Sequence, residues 1–132
     1  MIRQLSARGI LWTLENPRSS RMWITPVMLK TLRDVSGGIA RTTFCRFGTP
    51  WMKPTNFAFG GGIRSMAPLE SSCSGGVCSY RGRRHQVLEG KGPRGLNWTR
   101  IAQPYPPKMC QALVRLYRCA LMNRGINAID KL

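Results

Sequence analysis

The chain has 132 residues, enough for one domain, and its 42% hydrophobic content supports a modest core and argues against wholesale disorder. Its 21 Lys and Arg against five acids give a formal charge of +16, so most cations lack an internal partner and the molecule attracts polyanions, nucleic acid first and an anionic membrane surface second. Arg far outnumbers Lys, which GC-rich coding also yields without selection for binding, and no stretch approaches the roughly 18 apolar residues of a membrane span.

Met1 to Arg8 is basic and free of acids, as in organelle transit peptides. Gly9-Ile-Leu-Trp-Thr-Leu14 is a nearly continuous apolar run, which predicts a strand buried on both faces of a parallel sheet. It ends at Glu15-Asn16-Pro17, where Pro17 stops the ladder. Thr25-Pro26 reads as N-cap and first helical residue. Met28, Leu29, Leu32 and Val35 then form the stripe of a short amphipathic helix closed by Gly37-Gly38. Strand, helix and a further strand make the order of a β-α-β unit.

Arg41 to Phe47 and Thr55 to Phe59 are rich in β-formers, with Gly48, Pro50 and Pro54 between them, and predict an antiparallel pair joined by a loop. From Gly60 to Asn97 Gly, Ser and Arg dominate, predicting a loop-rich segment in which only Gln86 to Glu89 offers a strand. Gly60-Gly61-Gly62 lacks the Lys-Ser/Thr of a phosphate loop and reads as a hinge. After Pro104-Tyr105-Pro106-Pro107, apolar residues at Met109, Leu113, Leu116, Tyr117, Ala120 and Leu121 predict a surface helix of about four turns. Lys108, Gln111, Arg115 and Arg118 line its basic outer side, and Asn123-Arg124-Gly125 reads as its cap.

Five scattered cysteines, an odd number without a secretory leader, predict free thiols in a reducing, intracellular setting. Nucleus or cytoplasm fits, with organelle import left open by the basic start. Cys73-x4-Cys78-x6-His85 contains plausible metal ligands, but only three are in sight and the spacing is not that of a standard knuckle or finger. The expectation is therefore thiols without a metal.

Two segments carry candidate chemistry. Glu15 is a carboxylate at the end of a predicted buried strand, where open α/β sheets bind their ligands, with pairing to Arg18 or Arg21 as the ordinary alternative. Phe47-Gly-Thr-Pro-Trp-Met-Lys-Pro-Thr-Asn-Phe57 sets Trp51 beside Lys53 in a tight loop, an aromatic face and a cation suited to a base or a phosphate, or else a plain hairpin turn.

Together with Gln103-Pro-Tyr-Pro-Pro107, these segments resemble cytosine-5 DNA methyltransferases. Glu15-Asn16-Pro17 is similar to that family's Glu-Asn-Val. Phe47 to Phe57 is similar to its Phe-Gly-x-Pro-Gln-x-Arg-x-Arg-x-(Ile/Phe), and Gln103 to Pro107 to the Asn-Ala-Val-Pro-Pro before its closing helix. The resemblance spans Gly9 to about Leu121 and is poor in the middle.

It implies that Glu15 holds a cytosine flipped from the stack, that Asn16 supports the strand end, and that Lys53 stands for the first motif arginine. Trp51 replaces the glutamine and Thr55 the second arginine, and a Lys for an Arg loses the bidentate fork. Pro106 and Pro107 would close the side that holds S-adenosylmethionine. No Phe-x-Gly-x-Gly cofactor loop and no Pro-Cys nucleophile loop is present in these residues.

The implied fold is α/β, a single truncated methyltransferase-like domain over residues 1–132. It would be a partial doubly wound, Rossmann-like sheet with one parallel strand pair, an antiparallel hairpin and a C-terminal helix. The implied function is a base-binding half that is inactive alone and binds DNA or completes a chain carrying the front half. Two alternatives stay open. One is a basic, non-enzymatic nucleic-acid-binding module using Trp51, Arg115 and Arg118, and the other a degenerate fragment of a mobile-element or phage gene.

Overall fold

The computed structural model describes residues 1–129, with side chains for residues 1–124. Helix α1 (Ile2–Ala7) leads into strand β1 (Trp12–Pro17), followed by helix α2 (Pro26–Asp34) and strands β2 (Gly38–Thr43) and β3 (Pro54–Gly60). A long irregular stretch then reaches the short α3 (Trp98–Ile101) and the closing helix α4 (Pro107–Ile129). No helix among the described residues is long and apolar enough to cross a membrane.

The sheet is not a doubly wound parallel one. Its order is β1-β3-β2, and both outer strands pair antiparallel with β3. The hairpin is the reason. After β2 the chain turns back and β3 inserts between β2 and β1, with Ala58 opposite Leu14 on one side and Ile39 on the other. β1 and β2 therefore run in the same direction, joined across α2, yet never hydrogen-bond to each other. β1 becomes an edge strand in which Trp12 alone is fully buried, and an edge tolerates Pro17 at its end because a missing N–H costs no ladder bond there. Central β3 is buried at Thr55, Asn56, Phe57, Ala58 and Gly60.

The period-two alternation sorts side chains onto two covered faces. Trp12 and Ala58 pack with Trp23 and Leu32 under α1 and α2, with Ile2, Leu5, Met28 and Val35 around them. Thr25 caps α2 by accepting from the Met28 N–H at 3.3 Å, while Leu29, expected on the inward stripe, is exposed. The basic first residues are part of this layer: the Trp12 indole donates to Ser6 Oγ at 2.8 Å, and Arg3 pairs with Asp34 at 2.8 Å.

The opposite face carries the larger core. Phe57 and Ala40 meet Phe44, Met66, Leu69, Met109 and Leu116 beneath α4. β2 stops at Thr43, and Phe44–Phe47 forms a 3-10 turn rather than more strand. Phe44 joins the core beneath α4, while Cys45 beside it is buried outside that cluster.

The expected glycine hinge is a packed junction. A Cβ on Gly60 would lie 2.5 Å from the Trp12 ring, and one on Gly61, at φ +71°, only 1.8 Å from the Ile10 carbonyl oxygen. α4 does not end at Asn123-Arg124-Gly125 but continues to Ile129, and Arg124 donates to the carbonyls of Gly9 and Gly61. Between Gly60 and Asn97, Gln86 to Glu89 is not a strand. The Gln86 N–H instead bonds the Pro50 carbonyl at 2.8 Å.

Candidate functional site

Three regions bring chemistry together. The first is a corner where β1, the β2–β3 loop and the start of α4 meet. Glu15, opposite Phe57 in the sheet, accepts a hydrogen bond from the Tyr105 hydroxyl at 3.0 Å. The Tyr105 ring stands edge-on to Phe44 and Phe57, with centroids 6.0 and 6.3 Å away. Burial first, then the Glu15 carboxylate, pushes the Tyr105 phenol above its usual range.

Lys53 turns inward at the same corner. Its ammonium donates to the Ala102 carbonyl at 2.7 Å and lies 4.6 Å from the Phe44 ring centroid. Burial lowers its pKa, while the charge of Glu15 opposes that shift. The Thr55 hydroxyl, fully buried, donates to the Lys53 carbonyl at 3.0 Å and holds the loop, whose Lys53 has φ +40°. Thr55 thus supports the corner from beneath.

The other expected residues scatter around it. Asn16 points to the α2 face, as alternation demands, and donates to Ser20 Oγ at 2.9 Å. Trp51 leans on Trp98 with centroids 6.5 Å apart, and its indole N–H is buried without a partner. Pro106 is buried and Pro107, exposed, opens α4. Arg18, expected as a partner for Glu15, donates instead to the Thr42 carbonyl at 2.9 Å and to Asn56 Oδ1 at 3.3 Å.

The second region is a basic cleft of about 400 Å³ beside α4, lined by Arg46, Phe47, Pro68, Lys108, Gln111 and Arg115. Arg118 is exposed on the same helix. Lys108 lies in the first turn, where the helix dipole adds to the positive field. Among the described residues the only ion pairs join Asp34 to Arg3 and Lys30, so no carboxylate neutralises this cleft.

The third region was only partly visible in the sequence. Cys73, Cys78 and His85 are joined by Cys45, and the four donor atoms all lie within 4.8 Å of one another. Cys45 comes from the 3-10 turn after β2, far earlier in the chain. The other three come from a knuckle in which Val77 bridges Arg84, the Cys78 N–H bonds the Arg83 carbonyl at 2.7 Å, and the His85 N–H bonds the Gly76 carbonyl at 3.1 Å. Gly75, Gly76 and Gly82 take positive φ values that these turns require. Cys73 Sγ is 3.5 Å from His85 Nε2 and accepts from the Ser79 N–H at 3.5 Å. That backbone bond draws the Cys73 thiol down to about 6, whereas burial pushes Cys45 up to about 11. Such a thiol-rich set suits a borderline-soft ion.

No protein-family model, curated protein or solved structure matches this chain.

Proposed function

We propose that the chain binds DNA, and that the corner at Glu15 is the base-binding half of a cytosine-5 methyltransferase-like site. The observation that supports this best is convergence. Glu15, Lys53 and Tyr105-Pro106 belong to three segments remote in sequence, yet Tyr105 bonds Glu15 and shares the Phe44 ring with Lys53. These are the segments on which the methyltransferase resemblance rests. In this reading Tyr105 swings aside and the Glu15 carboxylate accepts from the exocyclic amine of a flipped cytosine. A partner chain supplies the S-adenosylmethionine loop and the nucleophilic cysteine, and methyl transfer requires that partner.

A second reading, a basic non-enzymatic nucleic-acid-binding module, is favoured by the unneutralised cleft of Arg46, Lys108 and Arg115. Fluorescence anisotropy with three duplexes separates the two: fully paired, with one mismatched cytosine, and with one mismatched thymine. A mismatch lowers the cost of flipping. The first reading expects about tenfold tighter binding to the cytosine mismatch alone, with that gain lost in Glu15→Gln. Equal affinity for all three with a steep salt dependence leaves the basic module. Absence of binding at low salt sinks both.

A further inference from the structure

We propose that Cys45, Cys73, Cys78 and His85 form a structural zinc site that fastens the knuckle of residues 73–85 to the end of the β2–β3 hairpin. Each residue offers one donor atom, three sulfurs and one imidazole nitrogen, and all four lie within 4.8 Å of one another. Zinc with thiolates at about 2.3 Å and imidazole at about 2.0 Å places its ligands roughly 3.4 to 3.8 Å apart. The Cys73 Sγ to His85 Nε2 separation of 3.5 Å already meets that spacing, and the remaining donors need only a small inward closure. Three thiolates and one imidazole, with no carboxylate, select zinc over magnesium or calcium and leave no coordination position for a substrate.

The ordinary explanation, cysteines buried as small apolar residues, accounts for Cys45 and Cys78 but not for the rest. Cys73 and His85 are only half-buried, so hydrophobic burial gives little reason for their placement. The knuckle also has almost no apolar anchor of its own, since Val77 and Tyr80 are exposed and Cys78 is the one residue of 72–84 that is fully buried. A segment of Gly, Ser and Arg that cannot build a core needs another tether, and a metal bond to Cys45 provides one. The Ser79 N–H donated to Cys73 Sγ supplies the outer hydrogen bond that a zinc-bound thiolate accepts. When formed, the site presents the exposed run Arg81-Gly-Arg-Arg84 on a rigid turn. The inference stands apart from the DNA reading, because its readout is metal content.

The test uses the full chain, purified without chelator, reduced, and analysed for metal by mass spectrometry and by cobalt substitution. One equivalent of zinc per chain is expected. Cobalt should give the intense visible bands of a tetrahedral site and the ultraviolet charge transfer of three thiolates. Cys73→Ser and His85→Ala should each lower the zinc content and alter or abolish that spectrum, whereas Cys119→Ser, on exposed α4, should leave both unchanged. Because a ligand variant can fail to fold, the wild-type cobalt spectrum decides by itself. Trace metal only, an octahedral cobalt spectrum, or a Cys45–Cys78 disulfide in the freshly isolated chain would overturn the proposal.

Discussion

Tyr105 and Glu15 stand 90 residues apart in sequence, and one hydrogen bond of 3.0 Å joins α4's approach to the edge strand. The bond ends on a carboxylate but at a half-exposed site, so Tyr105→Phe should cost about 1 kcal/mol, read as a lower urea midpoint with an unchanged m value. The same pair sets an alkaline limit. In the unfolded chain the phenol ionises near its ordinary value of 10, while in the folded chain burial and the Glu15 charge hold it protonated to higher pH. The contribution of this pair is therefore full below pH 10 and falls as pH rises toward the folded value. In Tyr105→Phe that alkaline slope should be shallower when ΔG of unfolding is measured from pH 9 upward. Asp34 acts at the other end, because hydrogen bonds from Lys30 and Arg3 lower its pKa, so its contribution is lost as pH falls below 3.8.

At the scale of elements, the positions that matter most are where backbone meets backbone. Gly61 combines φ +71° with a Cβ direction blocked by the Ile10 carbonyl. Gly61→Ala should cost about 3 kcal/mol, since left-handed strain and a clash with backbone add, and thermal unfolding will show it. Thr25→Ala should cost about 1 kcal/mol by removing the acceptor for the Met28 N–H, and Thr25→Ser should restore most of it. The cap, the Pro26 start and the Leu32 anchor of α2 are legible from the residues alone, because capping and amphipathic spacing are local. The end of β2 is not. Phe44 and Cys45 read as a continuation of the strand, and only tertiary packing decides that Phe44 enters the core beneath α4 while Cys45 meets the residues 73–85 knuckle.

For the whole molecule the governing quantity is charge, +16 over 132 residues. Self-repulsion of this size is relieved by binding a polyanion, and counterion release then makes affinity fall steeply with salt. Lys108 and Arg115 line one cleft. Their joint replacement by Ala should lower the slope of log K against log salt by about two, measured on a duplex of fixed length. Replacing Arg3 and Lys30, which are occupied by Asp34 on the opposite layer, should change that slope far less.

What the residue order determined by itself is local or additive: the net charge, the capped α2, the paired β-rich segments and the basic stripe of the last helix. The Glu-Asn-Pro, Phe-Gly-Thr-Pro and Pro-Tyr-Pro-Pro segments were each readable, as were Cys73, Cys78 and His85. Tertiary structure alone decided what these meet. Strand order depends on which edge β3 fills, a choice made by packing on both faces of the sheet, so a β-α-β pattern that suggests a parallel pair yields an antiparallel sheet. Likewise no spacing rule links Cys45 to a knuckle so far downstream. Its Sγ comes within 4.8 Å of the other donor atoms because the segment before the knuckle is bonded to the end of β2, Ser71 Oγ accepting from the Thr43 N–H and the Glu70 carbonyl from Arg46. Proximity of this kind is created only when the chain closes on itself.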